Sequence, residues 1–340
     1  MSTENDAEQD AAPRHRAVMA DEVTALPPER RPEPGPIAVL PEPEKRFVEA
    51  VEAAGGTVEP LSDRTRGVVW LSNRDASAFP PVLEAHPGIG WVQLPFAGVD
   101  AFAEVLAAED RPGLVWTSAK GAYAQPVAEH ALVLSLALLR VLPKRLRARS
   151  WAEEPDGRSL YGLDVVIVGA GGIALELIRL LEPFGTRITV VRRSSSPVEG
   201  AARTVTTDRL GEVLPSADLV VVAAALTGGT RHLFGASEFV AMKPTAYLVN
   251  IARGGLVDTD ALLDALRSGE IAGAGLDVTD PEPLPDGHPL WDDPNVIITP
   301  HQADTPEMTA PLLAERIRQN VRAFLDDGRF VGVVDPEAGY

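Results

Sequence analysis

The feature that most constrains this chain is a glycine-rich turn set between an apolar run and an amphipathic segment. Val165–Val168 leads directly into Gly169-Ala170-Gly171-Gly172-Ile173-Ala174, and a second apolar run, Ile188–Val191, follows. Unbroken apolar runs of this length predict strands covered on both faces. Ala174, Leu177, Ile178 and Leu181 fall on one side of a helix between them. Residues 164–193 therefore read as a βαβ unit. Its turn has the form G-x-G-x-x-A, in which Gly169 permits the tight bend, Gly171 lets the backbone approach a pyrophosphate, and Ala174 keeps helix and strand close. The helix start at Gly172 and Ile173 offers unpaired N–H groups to phosphate. This is a dinucleotide site.

The residue after the second strand selects the dinucleotide. An Asp or Glu there holds the ribose 2′-hydroxyl of NAD. This chain has Arg192 and Arg193, then Ser194–Ser196. A carboxylate would repel a 2′-phosphate, whereas guanidinium binds it bidentately. The reading favours NADP, with NAD as the alternative.

At 340 residues the chain accommodates about two domains. A net charge of −18 argues against nucleic-acid partners and against anionic membrane surfaces. Two adjacent arginines are the more telling for it. The longest apolar run, Ala131–Leu139, is too short to span a bilayer. There is no cysteine, so disulfides, thiol catalysis and thiolate-held metals are excluded, and a cytoplasmic location is the expectation. His15, His86, His232 and His288 show no metal-ligand spacing, and no metal is expected. Residues 1–35, rich in Glu, Asp, Pro and Ala with no hydrophobic stretch, read as a disordered tail rather than a signal peptide.

The rest reads as an α/β protein: a doubly wound parallel sheet of the Rossmann type plus a smaller flavodoxin-like α/β domain. The smaller domain is expected over 36–124 and 307–340, with strands near Ile37–Leu40, Val68–Leu71, Trp91–Leu94 and Leu114–Thr117. The dinucleotide domain is expected over 125–306. It opens with a helix Gln125–Leu142, apolar nearly all round and so expected to be buried between domains, ended or kinked by Pro143. Its further strands are Leu219–Ala223, Tyr247–Ile251, Gly275–Val278 and Val296–Thr299. Thr259–Ser268 is a helix capped by Asp258 and Gly269. A closing helix, Pro311–Leu325, is expected to pack back across the molecule.

Three polar segments follow predicted strands, at the edge where such sheets bind ligands. They are Asn250–Asp258, Gly275–Pro283 and Asn295–His301. A guanidinium, Arg253, suits a carboxylate; a histidine, His301, suits proton transfer near neutrality; a carboxylate, Glu282, can hold the other ring nitrogen. In order, spacing and local sequence these segments resemble the D-isomer-specific 2-hydroxyacid dehydrogenase family, over most of the chain from Ile37 to Tyr340. The resemblance implies that Arg253 binds the substrate carboxylate and orients the 2-oxo group, that His301 is the general acid/base and that Glu282 is its partner. It implies that Asp277 contacts the nicotinamide carboxamide, and that Leu226, Thr227, Ile251 and Ala252 line the cofactor.

The run Trp91–Asp100 resembles the family's substrate loop, with the amides of Ala97, Gly98 and Val99 on the carboxylate. Glu129 and His130 read as structural. Gln302 and Asp304 stand where many members carry apolar or small residues, which leaves the substrate open. The expectation is an NADPH-preferring reductase of 2-oxo acids of the glyoxylate or hydroxypyruvate type. A NAD-dependent dehydrogenase of D-3-phosphoglycerate or another D-2-hydroxy acid is the alternative, and an NAD(P)-sensing corepressor-like interaction protein is the alternative of another class. The resemblance also implies a homodimer, with the arm around Trp151 as candidate interface.

Overall fold

The computed structural model describes residues 15–18, 23–72, 76–108, 113–151, 153 and 155–335. It holds two separate parallel sheets. After a short strand β1 (Thr24–Ala25), four strands form the first sheet in sequence order: β2 (Ile37–Leu40), β3 (Gly67–Trp70), β4 (Trp91–Gln93) and β5 (Val115–Thr117). The second sheet has seven: β6 (Asp164–Val168), β7 (Arg187–Arg192), β8 (Arg203–Thr206), β9 (Leu219–Val222), β10 (Tyr247–Asn250), β11 (Gly273–Leu276) and β12 (Val296–Ile298). A last strand, β13 (Arg329–Phe330), pairs antiparallel with β1.

The seven-stranded order is β12-β11-β10-β9-β6-β7-β8, all parallel. The chain starts in the middle at β6, runs outward through β7 and β8, then restarts on the other side with β9. This is a doubly wound sheet, and its switch point lies between β6 and β9. Strands β9 and β10 are buried at every position, as continuous apolar runs in a sheet covered on both faces must be. Strand β8 was not expected from sequence: Arg203, Thr204 and Thr206 leave only Val205 buried, the pattern of a polar edge.

Five longer helices place the rest: α1 (Lys45–Ala53), α2 (Ala124–Leu139), α3 (Gly172–Leu181), α4 (Thr259–Ser268) and α5 (Pro306–Arg322). Helix α4 has the expected ends, Asp258 accepting the Ala261 N–H at 3.0 Å and Gly269 left-handed at φ 75°. Helix α2 stops earlier than expected, because Val141 turns left-handed at φ 48°. Pro143 then sits in the first turn of a new short helix, where its missing N–H costs nothing. Nor is α2 buried all round. Leu134 and Leu138 pack on the second sheet beside Gly275, while Val133 on the opposite side is exposed. The closing helix α5 begins at Pro306, takes Pro311 inside it and packs against α1 of the first sheet.

Within the stretch expected to be a disordered tail, residues 1–14 and 19–22 lie outside those described. The remainder is ordered. Besides the β1–β13 pairing, Arg31 donates to the Leu26 and Asp326 carbonyls. Farther upstream, Val18 N–H donates to the Gly121 carbonyl at 2.8 Å and Arg16 N–H to Gln125 Oε1 at 2.7 Å. Backbone pairing of this kind offsets the low hydrophobicity that pointed to disorder.

Candidate active site

Because all seven strands run the same way, the segments after β6, β7, β9, β10, β11 and β12 emerge on one edge. The glycine turn follows β6. Gly169 adopts φ +113°, and a Cβ there would come within 2.4 Å of the Ala223 carbonyl oxygen, so no other residue fits without displacing backbone. A Cβ on Gly171 would meet nothing within 4 Å, and no side chain caps α3. An open backbone cradle in front of uncapped helix N–H groups suits the pyrophosphate of a dinucleotide. Ala174 is fully buried between helix and sheet, as its place in the turn requires.

At the end of β7, Arg192 is half-buried and Arg193 and Ser194 are exposed. No hydrogen bond or ion pair engages the Arg192 side chain among the described residues. After β9, Leu226 and Thr227 lie in a loop tied by Thr227 N–H to Thr230 Oγ1 at 2.8 Å.

Strand β10 delivers Arg253 through an Asn-based turn. Asn250, fully buried, accepts from the Ala252 N–H at 3.1 Å and donates to the Arg253 carbonyl at 2.9 Å. Ile251 and Ala252 are buried behind it. The Arg253 guanidinium then crosses to the loop after β4 in the other sheet. A Cβ on Gly98 would come within 1.5 Å of Arg253 Nη2, and Arg253 Nε donates to Asp100 at 2.5 Å. The amides of Ala97, Gly98 and Val99 donate to no partner among the described residues. Free amides beside a guanidinium suit a carboxylate.

Glu282 and His301 meet directly, with His301 Nδ1 2.6 Å from Glu282 Oε1. His301 takes a left-handed backbone at φ 51°, a conformation unfavourable for a residue with a side chain. Asp277 shows what holds it there. Its carbonyl accepts the His301 N–H at 2.7 Å, and its buried carboxylate accepts from Gln302 N–H, Ala303 N–H and Thr299 Oγ1 at 2.9, 3.1 and 2.6 Å. His130 on α2 closes the network, its Nε2 2.9 Å from Thr299 Oγ1 and 3.5 Å from Asp277 Oδ1. His130 thus steadies the loop, and Glu129 beside it is exposed.

Asp304, just beyond, is half-buried, and burial pushes its carboxyl above the ordinary range, His301 opposing and Asp277 adding to the rise. Three partners were not singled out from sequence: Asp100, Asn250 and Thr299. Only Asp100 carried a local signal, standing next to the Ala97–Val99 amides.

The sequence model for the NAD-binding domain of D-isomer-specific 2-hydroxyacid dehydrogenases matches residues 131–303, which contain the glycine turn, Arg253, Glu282 and His301. The chain belongs to that family. An uncharacterised protein of Corynebacterium melassecola is 39% identical over 291 residues, 84% of this chain and 94% of its own. A glyoxylate reductase of Korarchaeum cryptofilum is 35% identical over 254 residues, 72% of this chain and 75% of its own. Among solved structures, a D-isomer-specific 2-hydroxyacid dehydrogenase of Xanthobacter autotrophicus, in complex with NADPH and MES, superposes with a TM-score of 0.77. It is 28% identical, and the match covers 91% of this chain and all of that one. As a 2-hydroxyacid dehydrogenase the protein is an NAD(P)-dependent oxidoreductase of small 2-hydroxy and 2-oxo acids. No helix among the described residues is long and apolar enough to cross a membrane.

Proposed function

We propose that this dehydrogenase is an NADPH-preferring reductase of small 2-oxo acids of the glyoxylate or hydroxypyruvate type, with His301 as its general acid. The observation that carries the reading is the His301–Glu282 pair, beside a guanidinium that reaches a loop of free amides.

The nicotinamide, when bound, supplies the hydride for C2 of the substrate. Everything else falls to side chains of this protein. Arg253 and the amides of Ala97, Gly98 and Val99 bind the carboxylate, which fixes the 2-oxo group relative to His301. Glu282 occupies Nδ1, so Nε2 is the nitrogen that faces substrate. A proton on Nε2 passes to the carbonyl oxygen as C2 is reduced, which avoids a free alkoxide. Glu282 stabilises the imidazolium before transfer and fixes the ring throughout. In oxidation of the hydroxy acid, His301 takes the same proton back. Gly169, Gly171, Gly172, Ile173, Leu226, Thr227, Ile251, Ala252 and Asp277 shape the cofactor side.

The preference for NADPH rests on Arg192. It is half-buried, its side chain lacks a partner among the described residues, and no acidic residue stands from 192 to 196. The related enzyme from Sinorhizobium meliloti, an NADPH-dependent glyoxylate/hydroxypyruvate reductase, was solved in complex with NADP and sulfate. The working form we infer is a homodimer joined through the arm around Trp151, which is 91% exposed and follows the exposed Leu142 and Leu146.

Steady-state reduction of glyoxylate and hydroxypyruvate with NADPH and NADH in parallel tests the reading. Turnover is expected with both acids, at higher kcat/KM with NADPH. Turnover with neither acid overturns the substrate; a clear NADH preference overturns the role of Arg192.

A further inference from the structure

The glycine turn contains one glycine that its own geometry does not call for. Gly169 is fixed by its positive φ, and Gly171 by the approach of backbone to phosphate. Gly172 is an ordinary helical residue in the first turn of α3, where any side chain would be better for the helix than none. Its surroundings give the reason for it. A Cβ there would come within 2.0 Å of the Val18 carbonyl oxygen and 3.2 Å of the Ala124 side chain. The backbone of residues 15–18 takes the space that a side chain would fill.

That segment is held at several points. Val18 N–H donates to the Gly121 carbonyl at 2.8 Å, and Arg16 N–H to Gln125 Oε1 at 2.7 Å. Gln125 in turn donates to Glu176 Oε1 at 3.1 Å, and the Arg16 guanidinium stands 3.8 Å from Glu176 Oε2. Glu176 is buried, four residues and so one turn beyond Gly172 on α3. Gly121 belongs to the link between β5 and α2, whose Ser118 and Lys120 carbonyls accept from Arg316 on α5. Residues 15–18 therefore run from the crossing between the two sheets onto the cofactor helix. They lie on the side-chain side of Gly172, and its N–H is not given to Val18. The cradle at Gly171 stays open, with nothing within 4 Å of a Cβ built there.

We propose that residues 15–18 are part of the cofactor site: a strap that walls one flank of the pyrophosphate cradle and slows release of the bound dinucleotide. The docked strap keeps water off one side of the contacts between amides and phosphate, which strengthens them. Two hydrogen bonds and one long ion pair hold it weakly enough to open without unfolding the domain. The inference rests on the dinucleotide reading of the glycine turn. Coupling of this kind is reciprocal: the factor by which the docked strap tightens NADPH is the factor by which NADPH favours the docked strap.

The test uses the full chain. Val18→Pro deletes the donor to Gly121, and Arg16→Pro deletes the donor to Gln125 together with the guanidinium. Each should speed NADPH dissociation roughly tenfold and raise its Kd to match, with NADPH displaced by excess NADP and followed by nicotinamide fluorescence. In the unaltered protein, saturating NADPH should slow tryptic cleavage after Arg16 by about the same factor, read by mass spectrometry. Dissociation unchanged in both variants overturns the proposal, even where Tm falls, since the segment would then be a structural brace alone. Tighter NADPH binding in the variants also overturns it, because the segment would then obstruct the cradle. So does cleavage after Arg16 that NADPH leaves unchanged. If neither NADPH nor NADH binds the unaltered protein, the dinucleotide reading has failed and this inference falls with it.

Discussion

His301 Nδ1 lies 2.6 Å from Oε1 of Glu282, and the histidine keeps a left-handed backbone at φ 51° with its N–H given to the Asp277 carbonyl at 2.7 Å. The carboxylate therefore acts on a ring whose position is set elsewhere. His301→Ala removes the proposed proton donor and should lower kcat by about 100- to 10,000-fold. Glu282→Gln keeps an acceptor on Nδ1 but removes the charge, so its loss should be smaller, roughly 10- to 100-fold. Dissociation constants for NADPH, followed by fluorescence, should change little in either. Equal losses in the two variants would mean that Glu282 does more than hold and stabilise the ring.

Gly98 tests the carboxylate receptor. A Cβ there would overlap Arg253 Nη2 and come within 3.2 Å of Asp100 Oδ2. Gly98→Ala should displace the guanidinium by about 1 Å and cost roughly 100-fold in kcat/KM, while leaving cofactor affinity intact. Unchanged kinetics would show that the substrate carboxylate binds elsewhere.

The glycine turn, Arg253, Glu282 and His301 were legible because each is a local signal: a residue type forced by backbone geometry or by chemistry, at a fixed place after a strand. Gly169 is legible because φ +113° admits nothing else. The partners that position these groups were not legible. Asp100 meets Arg253 across 153 residues of sequence, and His130 meets Thr299 across 169. No periodicity or propensity encodes such pairings; the approach of the loop after β4 to the loop after β10 creates the first, and the packing of α2 on the second sheet creates the other. The edge strand β8 escaped for the opposite reason. Its threonines and arginine carry no burial signal, since only one residue turns inward. The composition of residues 24–35 argued for disorder, yet β13 supplies a backbone partner some 300 residues away.

Asp277 is the residue on which the loop geometry depends. Its carboxylate accepts from two backbone amides and a hydroxyl while almost wholly buried. Asp277→Ala would leave those donors unsatisfied at about 1–3 kcal/mol each before relaxation. A fall in Tm should accompany a loss of kcat, because His301 is freed from its left-handed conformation. Should Tm fall while kcat stays at the parent value, the loop does not need this anchor for catalysis.

Gly172, at the first turn of α3, has a contact no sequence pattern foretells: a Cβ there would come within 2.0 Å of the Val18 carbonyl oxygen. The segment holding Arg16 and Val18 is further tied to Gly121, Gln125 and Glu176. Gly172→Ala should push this segment off the helix. Trypsin cleavage after Arg16 should then be several-fold faster than in the parent, read by mass spectrometry, because proteolysis follows the population of the open form. An unchanged rate would show that the docked segment adapts to the added methyl.

Asp304 gives the protein a pH signature. Burial holds its carboxyl above the ordinary range, with His301 lowering and Asp277 raising it further. An acid whose pKa is raised on folding binds its proton more tightly in the native state, so above the raised native value it costs stability. The cost fades as pH falls through the raised native value and is gone below the unfolded value of about 3.9. Asp304→Asn removes the charge at every pH. It should therefore raise the urea midpoint at pH 7, with the advantage shrinking as the pH is lowered toward 4. A midpoint difference that stays constant over that range would place the Asp304 carboxylate in water.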